Sequence, residues 1–206
     1  MTVFLLKTEE IEALPREFCE RNFPGRLKAP ERPLSIGAGA MIRYLTGLPE
    51  TDIRYNENGK PYTENGPHFN ISHSRDLVAG VSSEAPVGID LEHTGRKHEG
   101  VEKRVFSPEE RSLISSGEDD RLFFTAWTLK EACVKLFGKS LAEELTSFTV
   151  LPLIQSGKTE ISGRTVFSKT VVIGDYVLSV CSEKELSDLI PVFLTSEDIA
   201  KEENDV

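Results

Sequence analysis

A chain of 206 residues with 34 acidic and 24 basic side chains carries a net charge of −10, which argues against a surface built to bind nucleic acid. Hydrophobic residues make up 38% and charged residues 28%, an ordinary globular balance. No apolar run approaches the roughly 20 residues that span a bilayer, and "MTVFLLKTEE" is too short and lacks the basic front end of a signal peptide, so a cytoplasmic location without a membrane partner is expected.

In chain order, residues 8–22 read as a helix, with Thr8 as its cap and Glu9 and Glu10 in its first turn. A basic loop follows, "RNFPGRLKAPERP", in which Arg21, Arg26, Lys28 and Arg32 face a single acid, Glu31. "LSIGAGAMIRYLTG" predicts a helix with small residues on one side and a stop at Gly47. "RYNENGKPYTENGPH" is turn-rich, with Asn-Gly twice. Three short runs, "HFNISHS", "LVAGVSS" and "VGIDLEH", predict strands. "FSPEERSLISSG" predicts a helix capped by Ser107, opened by Pro108 and closed at Gly117, and residues 120–138 predict a longer one. "RTVFSKTVVIGDYVLSVCSE" predicts a hairpin turning at Gly174 and Asp175, and the acidic "SEDIAKEENDV" a frayed tail at about 196–206. Helix then strands therefore occurs twice, which permits a two-lobed α+β fold. Cys19, Cys133 and Cys181, with no C-x-x-C spacing, read as small buried hydrophobes in a reducing compartment.

Three stretches hold candidate chemistry. In "VGIDLEH", Asp90 and Glu92 sit two apart on one strand face, with Val87, Ile89 and Leu91 on the other. Paired carboxylates repel unless a cation stands between them, and Mg²⁺ prefers such all-oxygen ligands. Taken alone, a solvent-facing alternating strand is the commoner explanation. In "NGPHFNISHS", Ser72 and His73 close a strand and suit a phosphate oxygen, although a lone His among turn-forming serines is more often structural. In "AWTLKEACVKLFG", Leu129, Ala132, Cys133, Leu136 and Phe137 form a buried stripe, while Trp127, Glu131 and Lys135 share another side with Phe124. An i,i+4 surface ion pair explains Glu131 and Lys135 but not the aromatics beside them.

Four blocks, "GKPY" (59–62), "FNISHS" (69–74), "VGIDLE" (87–92) and "FFTAWTLKEACVKLFGKSL" (123–141), stand in the order found in 4′-phosphopantetheinyl transferases, and the chain resembles the longer, surfactin-type branch. A small departure is Ser140, where that family often has glycine. The resemblance implies an α+β fold of two similar α/β lobes, pseudo-two-fold related, about 1–95 and 96–206, with the site in the cleft between them. It implies transfer of 4′-phosphopantetheine from coenzyme A to a serine of an apo acyl or peptidyl carrier protein, releasing adenosine 3′,5′-bisphosphate, by a monomer. Asp90, Glu92 and Glu131 then resemble the Mg²⁺ site, and Lys135 the lysine that meets the pyrophosphate. Glu131 resembles a ligand, a base, or both. Ser72, His73 and Gly59-Lys60-Pro61 resemble coenzyme A contacts, Lys28 and Arg32 are the candidates for its 3′-phosphate, and Trp127 supports the wall. Glu110 aligns with another family acid, and equally with an ordinary first-turn acid. "GRKHEGVEKR" is a candidate docking patch for the acidic carrier or simply a solvated basic loop. The competing reading is a coenzyme A-binding or carrier-docking protein without catalysis, which would not need the acidic set.

Overall fold

The first strand is one that the hydropathy pattern hides. In the computed structural model, which describes residues 1–29, 32–95, 100–117, 119–139 and 145–201, β1 (Thr2–Lys7) lies between two other strands. Val3, Leu5 and Leu6 are therefore all buried, and no polar alternation marks the segment. Two helices, α1 (Thr8–Glu12) and α2 (Arg16–Asn22), replace the single one expected over 8–22. Pro15 has no N–H and disfavours helical geometry at Leu14, so the helix restarts at Arg16. Thr8 lies inside α1, not at its cap, and Lys7 caps it without a side-chain bond.

The helix α3 (Arg32–Thr46) forms as expected and ends where Gly47 takes φ +66°. A small hairpin, β2 (Arg54–Tyr55) and β3 (Pro61–Tyr62), occupies the turn-rich segment. The three expected strands follow as β4 (His68–Ser74), β5 (Leu77–Ser83) and β6 (Val87–His93). Next come α4 (Glu102–Val105), α5 (Pro108–Ser115) and α6 (Arg121–Phe137), which ends at Gly138 in the left-handed region. Then α7 (Leu151–Ser156) and β7 (Lys158–Ile161), both unforeseen, precede the expected hairpin of β8 (Arg164–Ile173) and β9 (Tyr176–Ser182). The chain closes with β10 (Ile190–Leu194) and α8 (Ser196–Ala200). Part of the expected frayed tail is thus helical, because Thr195 and Asp198 form a reciprocal cap and Ile199 is buried. Residues 202–206 of that tail lie outside the described residues.

Contacts divide this mixed α+β chain into two compact units. The first, 1–84 with 190–206, holds a sheet of order β10-β1-β5-β4, in which β1 runs parallel to β10 and antiparallel to β5. The helix α3 covers it, packing Ile36, Ala40, Met41 and Leu45 with Phe69 and Val78. The second unit, 85–189, holds an antiparallel sheet of order β6-β9-β8-β7. There α6 supplies Phe123, Phe124, Leu129 and Cys133 to a core shared with Val177 and Cys181. Strand β6, expected within a lobe of 1–95, pairs along its whole length with β9. All three cysteines are free and buried.

At the start of α5, Ser107 Oγ accepts from Glu110 N at 3.2 Å while Ser107 N donates to Glu110 Oε2 at 2.7 Å. Replacing Ser107 with Ala removes half of this box and should lower unfolding free energy by about 1 kcal/mol, read as a lower urea midpoint with unchanged m-value.

Candidate active site

The site is built from one strand and one helix, and a glycine decides how near they come. On β6, Gly88, Asp90 and Glu92 alternate onto the face covered by α6. A Cβ at Gly88 would overlap the Ala132 carbonyl oxygen and the Leu136 backbone nitrogen, so the helix backbone lies directly on the strand there. From this contact α6 runs back along β6. Lys135 reaches Asp90, with Nζ 2.6 Å from Oδ1, and one further pair of turns brings Trp127 to Glu92, with Nε1 donating to Oε1 at 3.3 Å. The Trp127 ring also lies parallel to Phe123, with centroids 6.4 Å apart. Glu131, one turn before Lys135, completes the group at 3.8 Å from the ammonium.

The solvent-facing reading of β6 fails on burial. Asp90 is 2% exposed, and on the opposite face Val87, Ile89 and Leu91 are buried as well. Nor is the Glu131–Lys135 contact a surface pair, since these side chains are 14% and 24% exposed and the shorter bond goes to Asp90. Phe124 does not belong to this face. It is buried in the core beside Phe123.

Three carboxyl groups thus share one ammonium. Burial pushes the Glu131 carboxyl up to about 8, with the charges of Asp90 and, more weakly, Glu92 adding to the rise and a hydrogen bond with Asp90 contributing. Lys135 opposes it. Burial would lower the Lys135 ammonium, but Asp90 first and Glu131 next outweigh that and hold it above its ordinary value. The group is short of positive charge, and its remaining donors are oxygens. That combination fits a hard divalent cation. Among the described residues, no three His, Cys, Asp or Glu side chains stand ready to enclose a metal as they lie. Glu92 is engaged by Trp127, and the Lys135 ammonium lies 2.6 Å from Asp90 and 3.8 Å from Glu131.

The remaining expected residues lie in the first unit. Lys28, in a 3₁₀ turn, and Arg32, the first residue of α3, are both exposed. Arg26 in the same turn is engaged with Glu50 and the Ser35 carbonyl. Gly59, at φ +79°, turns the β2–β3 loop, where Asn56 Oδ1 accepts from Lys60 N at 2.8 Å and Pro61 pairs with Tyr55. Burial lowers the Lys60 ammonium to about 8. Ser72 and His73 do not share a face of β4, since Ser72 is buried and His73 exposed. Of the basic stretch 95–104, residues 96–99 lie outside the described residues, and Lys103 and Arg104 are exposed on α4. Ser140 also lies outside them.

Sequence reasoning missed two features. Gly88 announced itself only as a glycine inside a strand, the usual sign of a close backbone approach. The pairing of Lys130 with Glu110, both buried and 3.2 Å apart, was the other: in the sequence Glu110 stands out only as a family-like or first-turn acid, and nothing links it to Lys130. A cavity of about 510 Å³ in the same unit, lined by Leu129, Leu153, Phe167 and Lys169 among others, uses a different row of α6 from Glu131.

The 4′-phosphopantetheinyl transferase superfamily model matches residues 86–181, the stretch that carries this group. The chain is 32% identical over 178 residues to the 4′-phosphopantetheinyl transferase psf-1 of Bacillus pumilus, covering 81% of this chain and 76% of that protein. It is 36% identical over 147 residues to the 4′-phosphopantetheinyl transferase Sfp of Bacillus subtilis, covering 66% of this chain and 65% of that one. It is 37% identical over 128 residues to the 4′-phosphopantetheinyl transferase HetI of Nostoc, covering 54% of each.

Two outcomes follow from the geometry. Gly88→Ala should lower the melting temperature and displace α6, with loss of Trp127 fluorescence contact to Glu92 as the spectroscopic sign. Glu131 binds its proton more tightly folded than unfolded, so it lowers stability as pH rises from about 4.5 to about 8. Glu131→Gln removes that loss, and should raise stability by at least about 1 kcal/mol at pH 8 but little at pH 4.5, measured by urea melts across pH.

Proposed function

The chain belongs to the 4′-phosphopantetheinyl transferase superfamily, and from that membership we infer that it transfers the 4′-phosphopantetheine group of coenzyme A to a serine of an apo acyl or peptidyl carrier protein. The observation that supports this best is the meeting of Asp90, Glu131 and Lys135 inside the matched region, on a buried strand and the helix above it. A protein that only bound coenzyme A or docked a carrier would not need that acidic set, and nothing favours this second reading.

In this proposal Lys135 pairs with the pyrophosphate of coenzyme A, reducing the repulsion between that dianion and the carboxyl groups. A carrier serine hydroxyl is the nucleophile. As its oxygen bonds to the β-phosphorus, its proton passes to Glu131, directly or through water, and the bond from that phosphorus to the bridging oxygen breaks, freeing adenosine 3′,5′-bisphosphate. Asp90, Glu92 and Glu131 would hold a divalent cation, Mg²⁺ in this reading, which when bound supplies positive charge to the pyrophosphate. Trp127 supports the wall of the site and orients Glu92. Gly59, Lys60, Pro61, Ser72, His73, Lys28 and Arg32 are the residues proposed to contact coenzyme A, the last two at its 3′-phosphate. The same reading treats the two compact units as the two similar lobes of the family, and has the chain acting as a monomer in the cytoplasm. Among the described residues no helix is long and apolar enough to cross a membrane.

Intact-mass analysis of several apo carrier proteins, incubated with the enzyme, coenzyme A and Mg²⁺, tests the activity. One phosphopantetheine should be added per carrier, and excess chelator should stop the reaction until Mg²⁺ is restored. Asp90→Ala and Glu131→Ala should each lower the rate at least about 100-fold while keeping the far-ultraviolet spectrum. Full activity in either variant contradicts the site assignment.

A further inference from the structure

Lys130 stands immediately before Glu131 on α6, yet its side chain enters the core and is 1% exposed, as is that of Glu110 on α5. Its ammonium is fully surrounded. Nζ lies 3.2 Å from Glu110 Oε2 and donates to the carbonyl oxygens of Leu145 and Phe148, both at 2.8 Å. The rings of Phe106 and Phe148 flank it at 5.7 and 5.1 Å. Glu110 is held as firmly: Oε1 accepts from Val150 N at 2.8 Å and Thr149 Oγ1 at 3.2 Å, and Oε2 from Ser107 N at 2.7 Å. Three segments, the start of α5, the middle of α6 and the loop at 145–150, are joined through two side chains.

A pair of charges taken out of water loses about as much hydration as it regains by attraction, so the pair is a poor source of stability. It is a good source of direction. An ammonium with three fixed partners has one orientation, and that orientation sets the roll of α6 about its axis. The next residue along a helix is turned by about 100°. The roll that seats Lys130 therefore also sets where Glu131 and Lys135 meet Asp90.

We infer that Lys130 and Glu110 are positioning residues for the transfer reaction: their buried pair holds α6 in the roll that brings Glu131 and Lys135 onto Asp90, without either residue touching the substrates. This inference rests on the transferase reading. A displacement of about 1 Å at a reacting group costs on the order of 100-fold in rate. Substrate affinity, carried by other residues, should be little changed.

The test compares Glu110→Gln, Lys130→Met and the double variant with the unaltered chain, using coenzyme A, Mg²⁺ and an apo carrier that the unaltered chain modifies. The double variant leaves no uncompensated buried charge, so it should melt near the unaltered chain. Its kcat should nevertheless fall about 100-fold, with KM for coenzyme A within about threefold. A purely structural pair would give back kcat together with stability in the double variant, and that result overturns the inference. So does a kcat within threefold of normal in any folded variant, or the failure of all three to fold, which would make the pair a folding requirement instead. If the unaltered chain modifies no carrier, the transferase reading is what fails. Emission from Trp127, the single tryptophan, still reports the roll of α6 in that case. A red shift in the double variant supports the inference, and an unchanged spectrum overturns it.

Discussion

The site depends on one steric fact, that a strand residue without a side chain lets a helix backbone rest on the strand. At Gly88 nothing separates β6 from Ala132 and Leu136 of α6. A distance this short is what allows Lys135, a long side chain on the helix, to meet the short carboxylate of Asp90 at 2.6 Å. A larger residue at 88 would move the whole row that follows, because Glu131 and Trp127 ride on the same rigid rod. Glycine is therefore as much a part of this cluster as the acids, although it contributes no side chain to it.

Charge is the second organising element. Burying Asp90 beside Glu131 is unfavourable, and the protein accepts it by drawing in one ammonium and leaving Glu131 with a raised affinity for its proton. Such an arrangement is stable enough to fold and still electrostatically incomplete. Its deficit of positive charge is the property that suits it to a hard divalent cation. The overall −10 of the chain adds little at this range, since mobile ions screen beyond about 8 Å while the buried group is shielded from them.

Much of this was legible from residue order. The strands 68–74, 77–83 and 87–93, the capped helix at 108, and the rod from 121 to 137 carry strong periodicity or strong caps, and fall where the pattern puts them. The spacing of Trp127, Glu131 and Lys135 likewise exposed a helix face that water alone would not explain. What stayed hidden were elements whose character is set by distant partners. Strand 2–7 has two adjacent buried leucines because it is interior to its sheet, and 190–194 shows exposed Ile190 and Phe193 because it is an edge. Phe124 was misplaced because a helical wheel counts angles and not depth. The burial of Lys130 was hidden for a related reason: it depends on Glu110, twenty residues away, and on backbone carbonyls that no side-chain pattern records.

The parallel pairing of β1 with β10 has a consequence for synthesis. Val3 and Leu5 find their partners in Pro191 and Phe193, so nearly the whole polypeptide separates two strands that share a ladder. During translation the amino-terminal sheet must wait with one flank open until residues 190–194 emerge, just after the sheet of residues 85–189 has all its strands. Among the described residues, the strand that leaves the ribosome last is the one that shuts the first sheet.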